Sequence, residues 1–248
     1  MNPKTVIDHC GSTKSGSDLI KGILQESEFS FPKSLNLIEF LIGLKEQNSL
    51  ILDFFAGSGT TGHAVLQLNK EDGGHRRFIL CSNRENTAEN PDKNLCREVC
   101  YERVKRVSQG YENTKGEAVE GLGGNVRYFK TAFVPHSKST DDLRHAFVDR
   151  CSDLLRIKED CFDAVPGHSG DAFRAYSGNG KNLALVYDPS DLSELKDYLA
   201  KASGPVTAYV FAIAQEPFVE ELAEWSGSLV LEPIPDGILS SYRKIYGI

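Results

Sequence analysis

Long apolar runs are missing from this sequence of 248 residues. Every run is broken within about ten residues, well short of the roughly 18–20 that a membrane-spanning helix needs. The first 30 residues carry Asp8, Lys14, Asp18 and Lys21 and do not read as a secretory signal with an apolar centre. Cysteine is sparse: the six are scattered, and none forms a C-x-x-C pair. That excludes a disulfide framework and reads as reduced thiols. These absences predict a cytoplasmic protein with no membrane partner. What is present, 40% hydrophobic and 25% charged residues, is the composition of a folded chain. The length suffices for one large domain or two smaller ones.

The formal net charge of −7 is unevenly spread. Residues 139–248 hold 10 basic and 18 acidic side chains, so the acidity belongs to them and the first 138 residues are close to neutral. A neutral region with local basic clusters can still meet phosphates, because local potential steers association more than the total does. A stand-alone, tight DNA binder is not the expectation.

Residues 12–17 are small and polar and read as a loop. Leu37, Ile38, Leu41, Ile42 and Leu44 recur at helical spacing after Ser34, a candidate N-cap. Residues 49–56 form an apolar run of strand length, a helix is expected over 60–69, Gly73-Gly74 breaks it, and 78–81 reads as the next strand. This is a strand–helix–strand unit of the parallel kind. A polar loop follows over 83–93, then a helix over 95–107 with Cys96, Cys100 and Val104 on one stripe. A loop over 110–125, a strand over 126–134 and a linker over 135–139 complete this part. Beyond it the alternation resumes: helix 141–157, strand 183–187, helix 192–202, strand 206–212, helix 217–225 and strand 229–234. The expected fold class is α/β in two units, 1–135 and 136–248.

The informative segment is Asp53-Phe54-Phe55-Ala56-Gly57-Ser58-Gly59-Thr60-Thr61-Gly62. Glycines allow a sharp turn after a strand and close approach of a ligand to the backbone, and the next helix offers free N–H groups to an anion. A tight turn without a ligand is the plain alternative. Gly57 to Gly62 has the spacing of a phosphate loop, but His63 and Ala64 stand where Lys and Ser/Thr are required. The dinucleotide fingerprint G-x-G-x-x-G also fits. Against it, Asp53 would face an approaching pyrophosphate, an unfavourable meeting of like charges. Glu85, 26 residues beyond Gly59, lies somewhat farther than the usual dinucleotide acid. An amino-acid ligand suits both better: its ammonium on Asp53, its carboxylate on the Gly59–Thr61 amides, and an adenosine ribose on Glu85. These features favour S-adenosylmethionine over NAD.

The same residues resemble the F-x-G-x-G motif of amino-directed DNA methyltransferases of the β order. Phe31-Pro32-Lys33 and the helix after it resemble the segment that precedes that motif. Residues 76–81 and 101–107 resemble the modification subunits of type III restriction–modification systems. The match covers residues 18–134, with only a looser similarity beyond. The resemblance implies a Rossmann-like methyltransferase half-domain followed by a smaller α/β domain, with S-adenosylmethionine as cofactor. It implies that Phe31, Pro32 and Lys33 line the methionine end and that Asp53 takes the ammonium. Phe55, Gly57, Gly59, Thr60 and Thr61 would wrap the methionine and its carboxylate. Glu85 would bind the ribose, unless the register is shifted and Ser82 holds the acidic position.

Amino methylation in such enzymes uses a (Asp/Asn/Ser)-Pro-Pro-(Tyr/Phe/Trp) tetrad, whose polar residue holds the amino group and whose ring stacks on an extruded base. The ten prolines here include no adjacent two, and Asp188-Pro189-Ser190-Asp191 lacks both the second proline and the aromatic. The expectation is the S-adenosylmethionine-binding portion of an adenine-N6 or cytosine-N4 methyltransferase without its catalytic and base-reading parts. Its partners would be DNA, a chain carrying the tetrad and recognition region, a restriction subunit and, as a further option, a second copy. A non-catalytic S-adenosylmethionine-binding or interaction subunit and a NAD-binding domain are the alternatives. Cys96 and Cys100 with His63 or His75 make a weak metal candidate beside buried thiols. Arg76, Arg77, Arg97, Arg103, Lys105 and Arg106 read as a solvated basic face that could meet phosphates.

Overall fold

A computed structural model describes residues 10–25, 29–131, 140–188, 190–211, 218, 220–232 and 238, without the side chains of 140–149. The chain forms two compact units, residues 1–130 and 131–248.

In the first unit, α1 (Thr13–Leu24) occupies most of the stretch expected to be loop. Ser12 accepts from the Ser15 amide while the Ser15 hydroxyl answers the Ser12 amide, a reciprocal cap that starts the helix. Ile20, Ile23 and Leu24 then give it a buried stripe. The helix α2 (Leu35–Gly43) follows Ser34, whose hydroxyl makes no cap bond and donates instead to the Cys10 carbonyl. The strands β1 (Leu50–Asp53) and β2 (Arg77–Leu80) pair in parallel, joined by α3 (Thr60–Asp72), which Gly73 ends in the left-handed region. One face of this pair is covered: Ile51 and Phe78 pack against Ala64 and Val65, and Leu80 against Leu66 and Val104. The other face leaves Leu50, Leu52 and Ile79 exposed.

The next helical stretch begins as a π-turn (Cys96–Tyr101) and continues as α4 (Glu102–Gln109). Val104 and Val107 pack on Ile20, Ile23 and Leu66. A short hairpin follows, β3 (Gly110–Glu112) with β4 (Ala118–Glu120), where a loop was expected. The strand expected over 126–134 is absent from its described part: residues 121–131 are irregular. Residues 132–134 and the linker at 135–139 lie outside the described residues.

The second unit opens with α5 (Thr140–Glu159). A five-stranded sheet follows in the order β5 (Asp163–Ser169), β6 (Phe173–Gly178), β7 (Lys181–Val186), β8 (Val206–Val210), β9 (Leu229–Glu232). The first three strands are antiparallel and the last three parallel, with α6 (Ser193–Leu199) crossing between β7 and β8. Side chains on β7 alternate between two cores. Leu183 and Leu185 meet Cys151 and Leu155 of α5, while Ala184 and Val186 meet Leu195 and Leu199 of α6. Burial on both faces makes this strand a continuous apolar run. The helix expected over 217–225 is reduced, among the described residues, to one 3₁₀ turn, Ala223–Trp225. Pro217 and residues 233–234 lie outside the described residues. The α/β class expected from the sequence is borne out. Among the described residues no helix is long and apolar enough to cross a membrane.

Candidate functional site

At the end of β1 the chain turns sharply into α3, and Asp53 organises that turn. Its Oδ1 accepts the Phe55 amide at 3.0 Å and its Oδ2 accepts the Thr61 hydroxyl at 2.6 Å. Both carboxylate oxygens are thereby fixed, and each retains a lone pair for a further donor. Phe55 projects outward, 93% exposed, and Phe54 is exposed as well.

Each glycine has a separate cause. Gly57 and Gly59 adopt φ of +50° and +74°, a region that side chains avoid. A Cβ on Gly59 would also lie 2.9 Å from the Cys100 carbonyl, and one on Gly57 would lie 3.1 Å from the Phe29 ring. Gly62 lets α3 approach Leu80 and Val104 closely. The Gly59 amide is spent on the Ala56 carbonyl at 2.7 Å. This corrects the expectation that it is open to a ligand. The amides of Thr60 and Thr61 open α3 and have no intrahelical acceptor by helix geometry. They carry the positive end of the helix dipole.

Phe29 on Gly57 brings the segment before α2 to the turn. Pro32 is buried, while Phe31, at φ +59°, and Lys33 are exposed. The carbonyls of Pro32 and Lys33 lie so close to Gly16 of α1 that a Cβ there would stand 2.6 Å and 2.7 Å from them. Glu85 lies in the loop beyond β2 at φ +53°, and its carboxylate is 3.7 Å from Lys93. Ser82 directly follows Cys81, whose amide donates to the Asp53 carbonyl at 2.8 Å.

Beneath the turn lies a polar cluster that the sequence alone did not reveal. Arg103 of α4, expected on a solvated face, is fully buried. Its Nη1 donates to Thr60 Oγ1 at 2.8 Å and Ser58 Oγ at 3.1 Å, and its Nη2 lies 3.3 Å from His63 Nδ1. Ser58, Thr60 and His63 are themselves buried. Burial, reinforced by the guanidinium, pushes His63 down to about 3, so it is neutral and accepts from Arg103. Burial also lowers Arg103, to about 10, which leaves it cationic at neutral pH. Spacing held the missed signal: Arg103 falls in phase with buried Cys100, Val104 and Val107.

Two further basic residues are not the free phosphate contacts considered for them. Arg76 is buried and forms a two-armed ion pair with Asp72 at 2.9 and 3.0 Å. Arg106 donates to the Ile23 carbonyl at 2.9 Å. Burial, with Cys96 nearby, raises the Cys100 thiol to about 12. Among the described residues no cluster of three His, Cys, Asp or Glu is placed to hold a metal ion.

Residues 8–93 match the model of a DNA methylase family, N6_N4_Mtase. The chain is 33% identical over 167 residues to the type III restriction-modification enzyme StyLTI Mod subunit of Salmonella typhimurium, covering 65% of this chain and 23% of that protein. It is 46% identical over 69 residues to the type II methyltransferase M.KpnI of Klebsiella pneumoniae, covering 27% of this chain and 16% of that one. Over 75 residues it is 43% identical to the type III EcoPI Mod subunit of Escherichia phage P1, covering 30% and 12%. The chain thus spans less than a quarter of the length of each of these relatives. The resemblance read from the glycine turn is borne out: residues 8–93 match a DNA methylase family model, and the chain is similar over part of its length to type III modification subunits.

Proposed function

We propose that the first unit is the S-adenosylmethionine-binding portion of a site-specific DNA amino-methyltransferase, adenine-N6 or cytosine-N4, of a type III restriction–modification system. The supporting observation is the pairing of opposite electrostatic features within one turn. Asp53 presents a fixed carboxylate eight residues before Thr61, whose amide opens α3. A zwitterionic amino-acid group is complementary to that pair, its ammonium toward Asp53 and its carboxylate toward the first-turn amides of Thr60 and Thr61. Phe55 and Phe31, both exposed, offer apolar surface for the rest of the ligand. Pro32 and Lys33 complete the wall at the methionine end, and Glu85 or the Ser82 position would meet the ribose. A pyrophosphate would meet Asp53 as a like charge, which disfavours the dinucleotide reading.

S-adenosylmethionine, when bound, supplies an electrophilic methyl group. The residues of this chain bind and orient it. Holding a target amino group and stacking on an extruded base fall to groups outside these 248 residues, which contain no adjacent prolines. The uncovered face of the β1–β2 pair supports that division. Parallel sheets are found with both faces covered, and Leu50, Leu52 and Ile79 await such cover. A chain bearing the tetrad and recognition region is the partner proposed for it, with DNA and a restriction subunit as partners of the assembled enzyme.

Incorporation of labelled methyl groups into mixed-sequence DNA tests this. The chain alone is expected to transfer none, and addition of a tetrad-bearing partner is expected to restore transfer. Robust methylation by the lone chain would contradict the assignment.

A further inference from the structure

Arg103 presents an electrostatic problem that its hydrogen bonds do not solve. It is fully buried, its Nε has no hydrogen-bond partner, and among the described residues no carboxylate forms an ion pair with it. Its partners are the Ser58 carbonyl, two hydroxyls and a neutral imidazole, all dipoles without net charge. A buried charge is costly without an opposite charge. Its position adds to that cost, because the guanidinium bonds the side chain of Thr60, the first residue of α3. The positive end of the helix dipole and the arginine therefore stand together, which is unfavourable for each until an anion arrives.

We propose that Arg103 is a positioning residue that makes the glycine turn selective for ligands bearing a carboxylate. It holds Ser58 and Thr60 in place from beneath and adds a full positive charge to the partial charge of the α3 amides. The ligand carboxylate supplies the missing counter-charge from the opposite side of the turn. This rests on the proposed S-adenosylmethionine site and adds the group that sets preference at its amino-acid end. A mere brace would hold the turn equally for every ligand. A counter-charge discriminates between ligands that differ in the carboxylate alone.

The experiment compares S-adenosylhomocysteine with its decarboxylated analogue, which keeps the amine and the nucleoside, by titration calorimetry. The wild-type chain is expected to bind S-adenosylhomocysteine at least tenfold more tightly. In Arg103→Gln and Arg103→Met, which remove the charge, that preference is expected to shrink below threefold, chiefly through loss of S-adenosylhomocysteine affinity. Arg103→Lys is expected to restore most of it. Equal weakening of both ligands in a folded neutral variant would mark Arg103 as a brace and overturn the proposal while leaving the site assignment standing. If neither neutral variant folds, the wild type decides: a tenfold preference supports the proposal and a ratio under threefold overturns it. Binding of neither ligand by the wild type would sink the site assignment and this proposal with it.

Discussion

Arg103 Nη1 lies 2.8 Å from Thr60 Oγ1, so a buried cation on one helix braces the first residue of another. Through that contact α4 governs the turn that Asp53 and the glycines shape from above. Changes at either level should therefore reach the same site by different routes.

Asp53→Asn removes the charge while keeping an amide oxygen to accept the Phe55 amide and placing an NH2 group, which donates, against the Thr61 hydroxyl. A hydrogen bond to a charged group is worth roughly 1.5–3 kcal/mol. The expected loss of S-adenosylhomocysteine affinity is about 10- to 100-fold, with little change in the thermal midpoint. Calorimetry and circular dichroism on the same sample check both halves. Unchanged affinity would move the ammonium site elsewhere.

Gly59→Ala should damage the fold before it damages binding. The substitution forces a Cβ to within 2.9 Å of the Cys100 carbonyl at a φ of +74°. Left-handed backbone costs about 1–2 kcal/mol and overpacking about 1–3 kcal/mol. A fall of that order in urea-unfolding free energy is expected. No measurable loss would mean that α4 yields easily at Cys100.

His63 gives the first unit a distinctive acid sensitivity. Its folded value, lowered to about 3 from 6.5, means that the unfolded chain binds the proton first as pH falls. The stabilisation is complete above pH 6.5 and is lost as pH drops toward 3, at up to about 1.4 kcal/mol per pH unit. His63→Asn keeps an acceptor for Arg103 and does not titrate. The urea midpoint of the variant should be flatter than that of the wild type between pH 6.5 and 4. Parallel profiles would show that His63 titrates normally in the folded chain.

In the second unit the Tyr209 hydroxyl donates to Glu159 at 2.6 Å and receives a bond from Lys158. Burial raises that phenol to about 12. Tyr209→Phe removes both contacts and should lower stability by about 1.5–3 kcal/mol, readable as a shift of the thermal midpoint. A neutral result would place the stability of this corner in its apolar packing alone.

Much of this architecture could be read from the residues because burial leaves a period. The β1–α3–β2 unit, α2, β7, α6 and β8 all carried an apolar pattern matched to their geometry. The glycine turn announced itself by spacing. The edge strand β5 did not: its Pro166, Gly167 and His168 carry no alternation, and its place is set by pairing with β6 around an irregular register. Residues 12–17 were misread because the Ser12–Ser15 cap uses the same small polar residues that mark loops. Arg103 was misread because charge is ordinarily a sign of solvent, and only its tertiary partners at Ser58, Thr60 and His63 reverse that rule. Among the site residues, Asp53, Thr60 and Thr61 come together at the turn, with the Phe29 ring against Gly57. Glu85 lies in the loop five residues past the end of β2, and its carboxylate is 3.7 Å from Lys93.

Calorimetric titration of the wild-type chain with S-adenosylhomocysteine and with NAD addresses the ligand of the glycine turn. The Asp53 carboxylate set against the α3 amides predicts saturable binding of S-adenosylhomocysteine and at least tenfold weaker binding of NAD. Preferential binding of NAD would contradict the assignment.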